Sequence, residues 1–259
     1  MSLQKLLWGI VACSVMAGTA WADPMRTIFT KENKFPEAMG FEVYLSGGGS
    51  TYDADMSGED VDLFDVGPGA RFGVTDRLAV RADVPFRMVS AGDLDEKGFG
   101  DMSLGVEFLF FEDIFDYAWI VPHATAILPT GDEDKMLGTG ETQGHLGISA
   151  GTTVNDVLHF GADISYVING TVSEDSMGER DDLTLGSVSL VWDLDGRSSV
   201  VGEIQLRDDP VDPEHDFASR YHLGLSYRIN KNFTVMGYGG GASRMYEDYY
   251  GMGRLVYQF

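Results

Sequence analysis

The sequence holds one cysteine, Cys13, and it lies inside an apolar leader. Lys5 precedes the apolar run Leu6–Met16, and Ala20-Trp21-Ala22 follows, the pattern of a secretory signal peptide cut before Asp23. The run is shorter than the about 20 residues that a spanning helix needs. On that reading the mature chain has no disulfide, no thiolate nucleophile and no cysteine metal site. Cys13, preceded by Ile10-Val11-Ala12, could instead carry a lipid, but only a very short apolar core would then follow Lys5.

Basic residues are also scarce. Eighteen Lys and Arg stand against 41 Asp and Glu, and loss of Lys5 takes the formal net charge from −23 to −24. That balance argues against nucleic acid as a partner and for a solvated surface that resists association. No long apolar segment follows residue 22, while 33 glycines and 12% aromatics fit a β protein with many tight turns. A mean hydropathy near zero is compatible with a membrane location, because a barrel hides its lipid face in alternate residues.

What is present is alternation. Leu78, Val80, Ala82, Val84, Phe86 and Met88 are apolar, while Arg81, Asp83 and Arg87 hold the other parity. A strand sends successive side chains to opposite faces, so this segment has one apolar and one charged face. Met102 to Phe110, Leu158 to Ile168 and Tyr221 to Ile229 repeat the pattern. Such segments, separated by turn residues, are the signature of a transmembrane barrel.

Short connections (Thr75-Asp76-Arg77, Asn155-Asp156, Asp193 to Gly196, Asn230-Lys231-Asn232) alternate with longer polar ones (Asp53 to Asp60, Ser90 to Gly98, Thr130 to Glu141, Thr171 to Arg180, Arg207 to Phe217). Periplasmic turns and extracellular loops differ in this way. Strands are expected near 40–49, 61–74, 78–89, 99–111, 117–128, 142–154, 157–169, 182–193, 198–207, 218–229, 233–243 and 249–259, twelve in all. The fold class is then all-β, an antiparallel up-and-down barrel over 40–259, behind a signal peptide (1–22) and a short N-terminal segment (23–39). Ala118 to Leu128 is apolar on both parities and Phe233 to Ser243 is glycine-rich, so ten or fourteen strands also fit. A soluble lipocalin-like barrel would invert the pattern, with the apolar face inward.

The C-terminus favours the membrane form. Tyr249, Gly251, Gly253, Leu255, Tyr257 and Phe259 share one parity, and the sequence ends on Phe259. This resembles the signal that barrel-assembly machinery reads, with Tyr257 and Phe259 as its aromatic positions. Gly98-Phe99-Gly100-Asp101 opening a strand, Pro129-Thr130-Gly131-Asp132 closing the next, and Gly138-Thr139-Gly140-Glu141 before a further one are similar to the outer-membrane family named for the MetA pathway of phenol degradation. That resemblance covers roughly residues 65–259; Glu141 departs from the small hydroxyl residue expected there. It implies a barrel for uptake of small aromatic or hydrophobic molecules. Read by themselves, the same glycines are turn punctuation, and Gly98-Phe99-Gly100 is no nucleotide loop.

The charged parity supplies the candidate pore-lining residues: Arg71, Arg81, Asp83, Arg87, Asp101, Glu107, Asp163, Glu203, Arg207, Arg220, Arg228 and Arg254. A charge on the lipid face near the midplane costs roughly 2–4 kcal/mol, so these point inward. They either line a wet channel and set its selectivity or pair into a network that fills a narrow lumen; a narrow or gated passage is the preferred form. The segment Asp23 to Met39 is too short for a large plug domain.

Expected partners are outer-membrane lipid and lipopolysaccharide, the barrel-assembly machinery, and a small-molecule or ion substrate; no cofactor is expected. The loops carry the excess acid, including Asp53, Asp93, Asp132, Glu174 and Asp208. Calcium would suit such oxygens, but no run has the spacing of an EF-hand loop, so no metal ligands are named. Of His123, His145, His159, His215 and His222, His159 and His222 have inward parity, beside Ser165 and Ser226 further along the same strands, with no serine two residues away. No nucleophile and base are thereby brought together, and the chain reads as a non-enzyme. An adhesive barrel acting through its acidic loops is the alternative from a third class.

Overall fold

The computed structural model describes residues 24–52, 61–92, 94–114, 118–170, 182–208, 217–243 and 249–259. The signal peptide therefore lies outside the described residues, as do the expected loops at 53–60 and 171–180 and most of the loop from Arg207 to Phe217.

The strands are β1 (Phe41–Tyr52), β2 (Val61–Thr75), β3 (Leu78–Asp83), β4 (Phe86–Ala91), β5 (Leu94–Phe99), β6 (Met102–Phe108), β7 (Phe111–Ile114), β8 (Ala118–Leu128), β9 (Gln143–Val154), β10 (Leu158–Ile168), β11 (Leu183–Asp193), β12 (Ser198–Asp208), β13 (Phe217–Arg228), β14 (Phe233–Ser243) and β15 (Tyr249–Gln258). All pairings are antiparallel, and β1 pairs with both β2 and β15, which closes the ring. β3 and β4 are two halves of one crossing, because β2 pairs with both. β5, β6 and β7 are likewise one crossing, facing β4, β3 and β8 in turn. The barrel therefore has twelve crossings.

The interruptions have local causes. Between β3 and β4, Pro85 brings no N–H to the ladder, and the chain turns in so closely that a Cβ on Gly67 would lie 2.2 Å from the Val84 carbonyl oxygen. The expected loop Ser90 to Gly98 is instead a β4–β5 hairpin, registered from Phe86↔Phe99 to Ala91↔Leu94. Gly92, at φ 56°, supports its tight turn. Burial does alternate there, with Leu94, Glu96 and Gly98 half-buried and Asp95, Lys97 and Phe99 exposed, but charges on both parities hide it in the sequence.

At the other end of the barrel the turns are short. Asn155 and Asp156 both have positive φ, 52° and 57°, the conformation of a two-residue hairpin turn whose twist matches the strands. In the β11–β12 turn, the N–H groups of Arg197 and Ser198 donate to Asp195 and hold its carboxyl below the usual range. Both the start of the described chain and Phe259 lie at this end, where the rings of Phe41, Phe233, Tyr257 and Phe259 form an aromatic cluster.

The apolar parity faces outward. Ile164 is 64% and Leu223 70% exposed, while their neighbours Asp163 and His222 are 7% and 2% exposed. Such a surface needs a hydrocarbon environment, and the soluble lipocalin-like alternative is excluded because it would bury that face.

Candidate functional site: a finger inside the charged bore

Residues 24–36 run inside the barrel. Pro24 and Arg26 sit beside the β11–β12 turn; the chain climbs to an apex at Ile28–Thr30 and returns, and Met39 N–H donates to the Gly73 carbonyl at 2.7 Å. Thr27 Oγ1 donates to Thr30 O at 2.8 Å, which tightens the apex. Successive N–H groups then point the same way and form a concavity for an anion. Glu203 of β12 fills it, accepting from the N–H groups of Ile28 (2.5 Å), Phe29 (3.0 Å) and Thr30 (3.0 Å). Behind Glu203, His222 Nε2 lies 2.9 Å away, and His222 Nδ1 is 2.7 Å from the Tyr250 hydroxyl.

The rest of the finger is also held by polar groups. Arg26 donates to Glu32 at 3.2 and 2.9 Å and also contacts Asp193 and Ser199. Lys31 N–H donates to Ser149 Oγ at 2.8 Å, and its ammonium lies 3.7 Å from Glu107. Burial, reinforced by the nearby Arg81 guanidinium, pushes that ammonium down to about 8. Phe35 packs with Ala79, Leu109, Trp119 and Val121, under the Arg71 guanidinium.

The candidate pore residues fall into distinct roles. Arg71 bridges Glu107 (2.7 Å) and Glu42 (3.6 Å). Arg81 lies 3.4 Å from Asp83, which also accepts from Tyr44 and Ser103. Arg87 grips Asp65 through two hydrogen bonds of 2.8 and 2.9 Å. Arg254 stacks on Tyr44, Arg220 on Phe29 and Tyr250. Arg228 lines the cavity below the finger, and Arg207 is half-buried opposite Leu185 and Ala218. Asp101 is placed differently: its carboxylate accepts the N–H groups of Gly131 and Thr139 and clasps the loop after β8.

Asp163 gathers His123 Nε2 (2.7 Å), Ser149 and Ser165. Both hydroxyls donate to the carboxylate, so the histidine activates neither of them. Thr153, His159 and Asp193 form a second chain, with contacts of 3.0 and 2.9 Å, and Asp193 ends it on the finger's Arg26. Among the described residues, no group of three or more His, Cys, Asp or Glu is placed to hold a metal.

The finger divides the bore. Toward the long loops lies a cavity of about 420 Å³, whose walls include Phe29, Leu63, Val66, Pro85, Arg220 and Met252. Toward the short turns lies one of about 240 Å³, lined by Arg26, Asp193 and Arg228. Sequence reasoning placed the charges of the wall on one parity and missed the finger, which has no periodicity. The available signal was the set Arg26, Lys31 and Glu32, charged residues in a segment assigned to neither strand nor turn.

No family model matches the chain, and no curated protein is similar to it in sequence. The fold is shared with solved outer-membrane barrels. A COG4313 outer membrane channel from Pseudomonas putida F1 aligns with TM-score 0.72 and 15% identity, over 92% of this chain and 99% of that one. The translocator domain of autotransporter NalP from Neisseria meningitidis aligns at 0.54 and 12%, over 99% and 95%. The Ralstonia pickettii toluene transporter TbuX aligns at 0.52 and 11%, over 87% and 90%. The fold is thus a twelve-crossing antiparallel β-barrel with an apolar outer face, shared with outer-membrane channels, porins and autotransporter translocator domains.

Proposed function

We propose that this barrel is an outer-membrane channel, closed at rest by its N-terminal finger, through which small molecules or ions enter the cell. The observation that carries the reading is the way the finger is held to the wall: by the Glu203 carboxylate, by hydroxyls and by the ion pairs of Arg26 with Asp193 and Lys31 with Glu107, with a cavity on either side. Polar groups can exchange a finger contact for water, whereas a finger packed through a continuous apolar seam could not leave cheaply. The short-turn end is periplasmic and the acidic loops extracellular, where they concentrate cations.

The cargo is small and aromatic or hydrophobic. Support comes from the apolar walls of the upper cavity, from the resemblance to the family named for the MetA pathway, and from a fold shared with a toluene transporter. Lipid and lipopolysaccharide surround the outer face, and the assembly machinery reads Tyr257 and Phe259.

Planar-bilayer conductance of the refolded protein tests the reading. A variant lacking residues 24–36 should conduct in larger steps than the parent, and Arg81→Ala and Arg228→Ala should shift the ion selectivity of those steps under a salt gradient. A folded, finger-less barrel that stays electrically silent would rule the channel out.

A further inference from the structure

Phe29 occupies an unusual place for a phenylalanine. Two other large apolar side chains of the finger, Met25 and Phe35, are 7% and 6% exposed, and Ile28, half-buried like Phe29, packs against a buried cluster that includes Tyr44 and Met236. Phe29, at the apex, is only half-buried and forms part of the wall of the upper cavity. Its ring leans on His222, with centroids 4.8 Å apart and planes tilted by 50°. The Arg220 guanidinium lies 5.9 Å from the Phe29 centroid and 5.2 Å from that of Tyr250, so one cation serves two rings.

This surround is built before any ligand arrives. Glu203 and the Tyr250 hydroxyl hold the two nitrogens of His222, which fixes the ring that Phe29 leans on. A rigid, pre-oriented surface loses little entropy on binding. Cation–π attraction is selective for rings and contributes about 0.5–2 kcal/mol, depending on solvent exposure. The cavity next to it, about 420 Å³, has room for a one-ring molecule beside Phe29, and Leu63, Pro85 and Met252 give it apolar walls.

We propose that Arg220, His222 and Tyr250 form a binding site for a small uncharged monoaromatic molecule, and that the Phe29 ring fills that site in the resting barrel. The ligand ring competes with Phe29 for the same cation and the same imidazole. Displaced, Phe29 gives up its ring contacts and leaves the finger apex held by the hydrogen bonds of its N–H groups and the Thr30 hydroxyl to Glu203 and Ser189, so ligand occupancy loosens the stopper. The site rests on the channel reading for its role in transport, and its chemistry can be tested apart from it.

The experiment places 4-fluorophenylalanine at position 29 of the full barrel in detergent and follows its ¹⁹F resonance. The probes are benzyl alcohol and cyclohexylmethanol, matched in size and hydroxyl but differing in aromaticity. Benzyl alcohol should move the resonance saturably and cyclohexylmethanol, at equal concentration, should not. Arg220→Gln should raise the half-saturating benzyl alcohol concentration by about threefold or more; Tyr250→Leu supplies the same comparison if that variant does not fold. Equal responses to the two alcohols, or no response to either, would overturn the site. Benzyl alcohol flux into liposomes, measured on unlabelled protein, separates the two ideas. Flux with a static resonance discards the Phe29 site and keeps the channel; a moving resonance without flux keeps the site and discards the channel.

Discussion

Glu203 on β12 accepts the backbone N–H of Phe29 at 3.0 Å, across 174 residues of chain. The same carboxylate takes the N–H groups of Ile28 and Thr30 and the imidazole of His222. One wall residue thus anchors the apex of the finger.

Glu203→Gln should weaken seating of the apex by about 1.5–3 kcal/mol, the worth of a hydrogen bond to a charged group. The amide side chain keeps one acceptor oxygen and turns donors toward N–H groups that need acceptors. Hydrogen exchange at residues 28–30 would accelerate accordingly, with protection in β12 retained. Unchanged protection at the apex would mean that Glu203 is not its anchor.

Two glycines should respond oppositely to the same added methyl group. A Cβ on Gly69, facing inward, would lie 2.1 Å from the Tyr44 ring, whereas one on Gly237, facing outward, would meet nothing within 4 Å. Gly69→Ala should cost about 1–3 kcal/mol through overpacking, and Gly237→Ala should stay within about 0.5 kcal/mol. Denaturant titrations in lipid measure both, and equal costs would contradict the assignment of faces.

Leu223→Arg puts a charge on the side that meets hydrocarbon and should destabilise the barrel by about 2–4 kcal/mol if the residue lies near the midplane. Ser46→Arg, in the wall of the upper cavity, should escape that penalty. Reversible unfolding from liposomes distinguishes them. A tolerated Leu223→Arg would place the lipid boundary elsewhere.

The crossings were legible in the sequence because lipid imposes a period of two: Leu78 to Met88 declares its faces residue by residue. The break inside that stretch was not, since Val84 and Pro85 fit the alternation, and only the approach of Gly67 shows that the chain turns inward there. Arg71, Glu107 and Glu203 were identified as inward-facing from parity alone. Their partners were not, because Lys31 meets Glu107 and Phe29 meets Glu203 through contacts that leave no local pattern. Asp101 shows the limit of parity: it shares the inward set, yet at the kink between β5 and β6 it ties down a loop.

The finger also constrains how the protein is made. Its contacts include Glu107, Ser149, Ser189, Glu203 and Tyr238 on β6, β9, β11, β12 and β14, and the polypeptide between finger and β14 must be in place before they exist together. An open, half-assembled sheet offers no bore for the finger to enter. Sealing is therefore a late step of biogenesis, made by a segment that is synthesised before the strands that will surround it and waits for them to close.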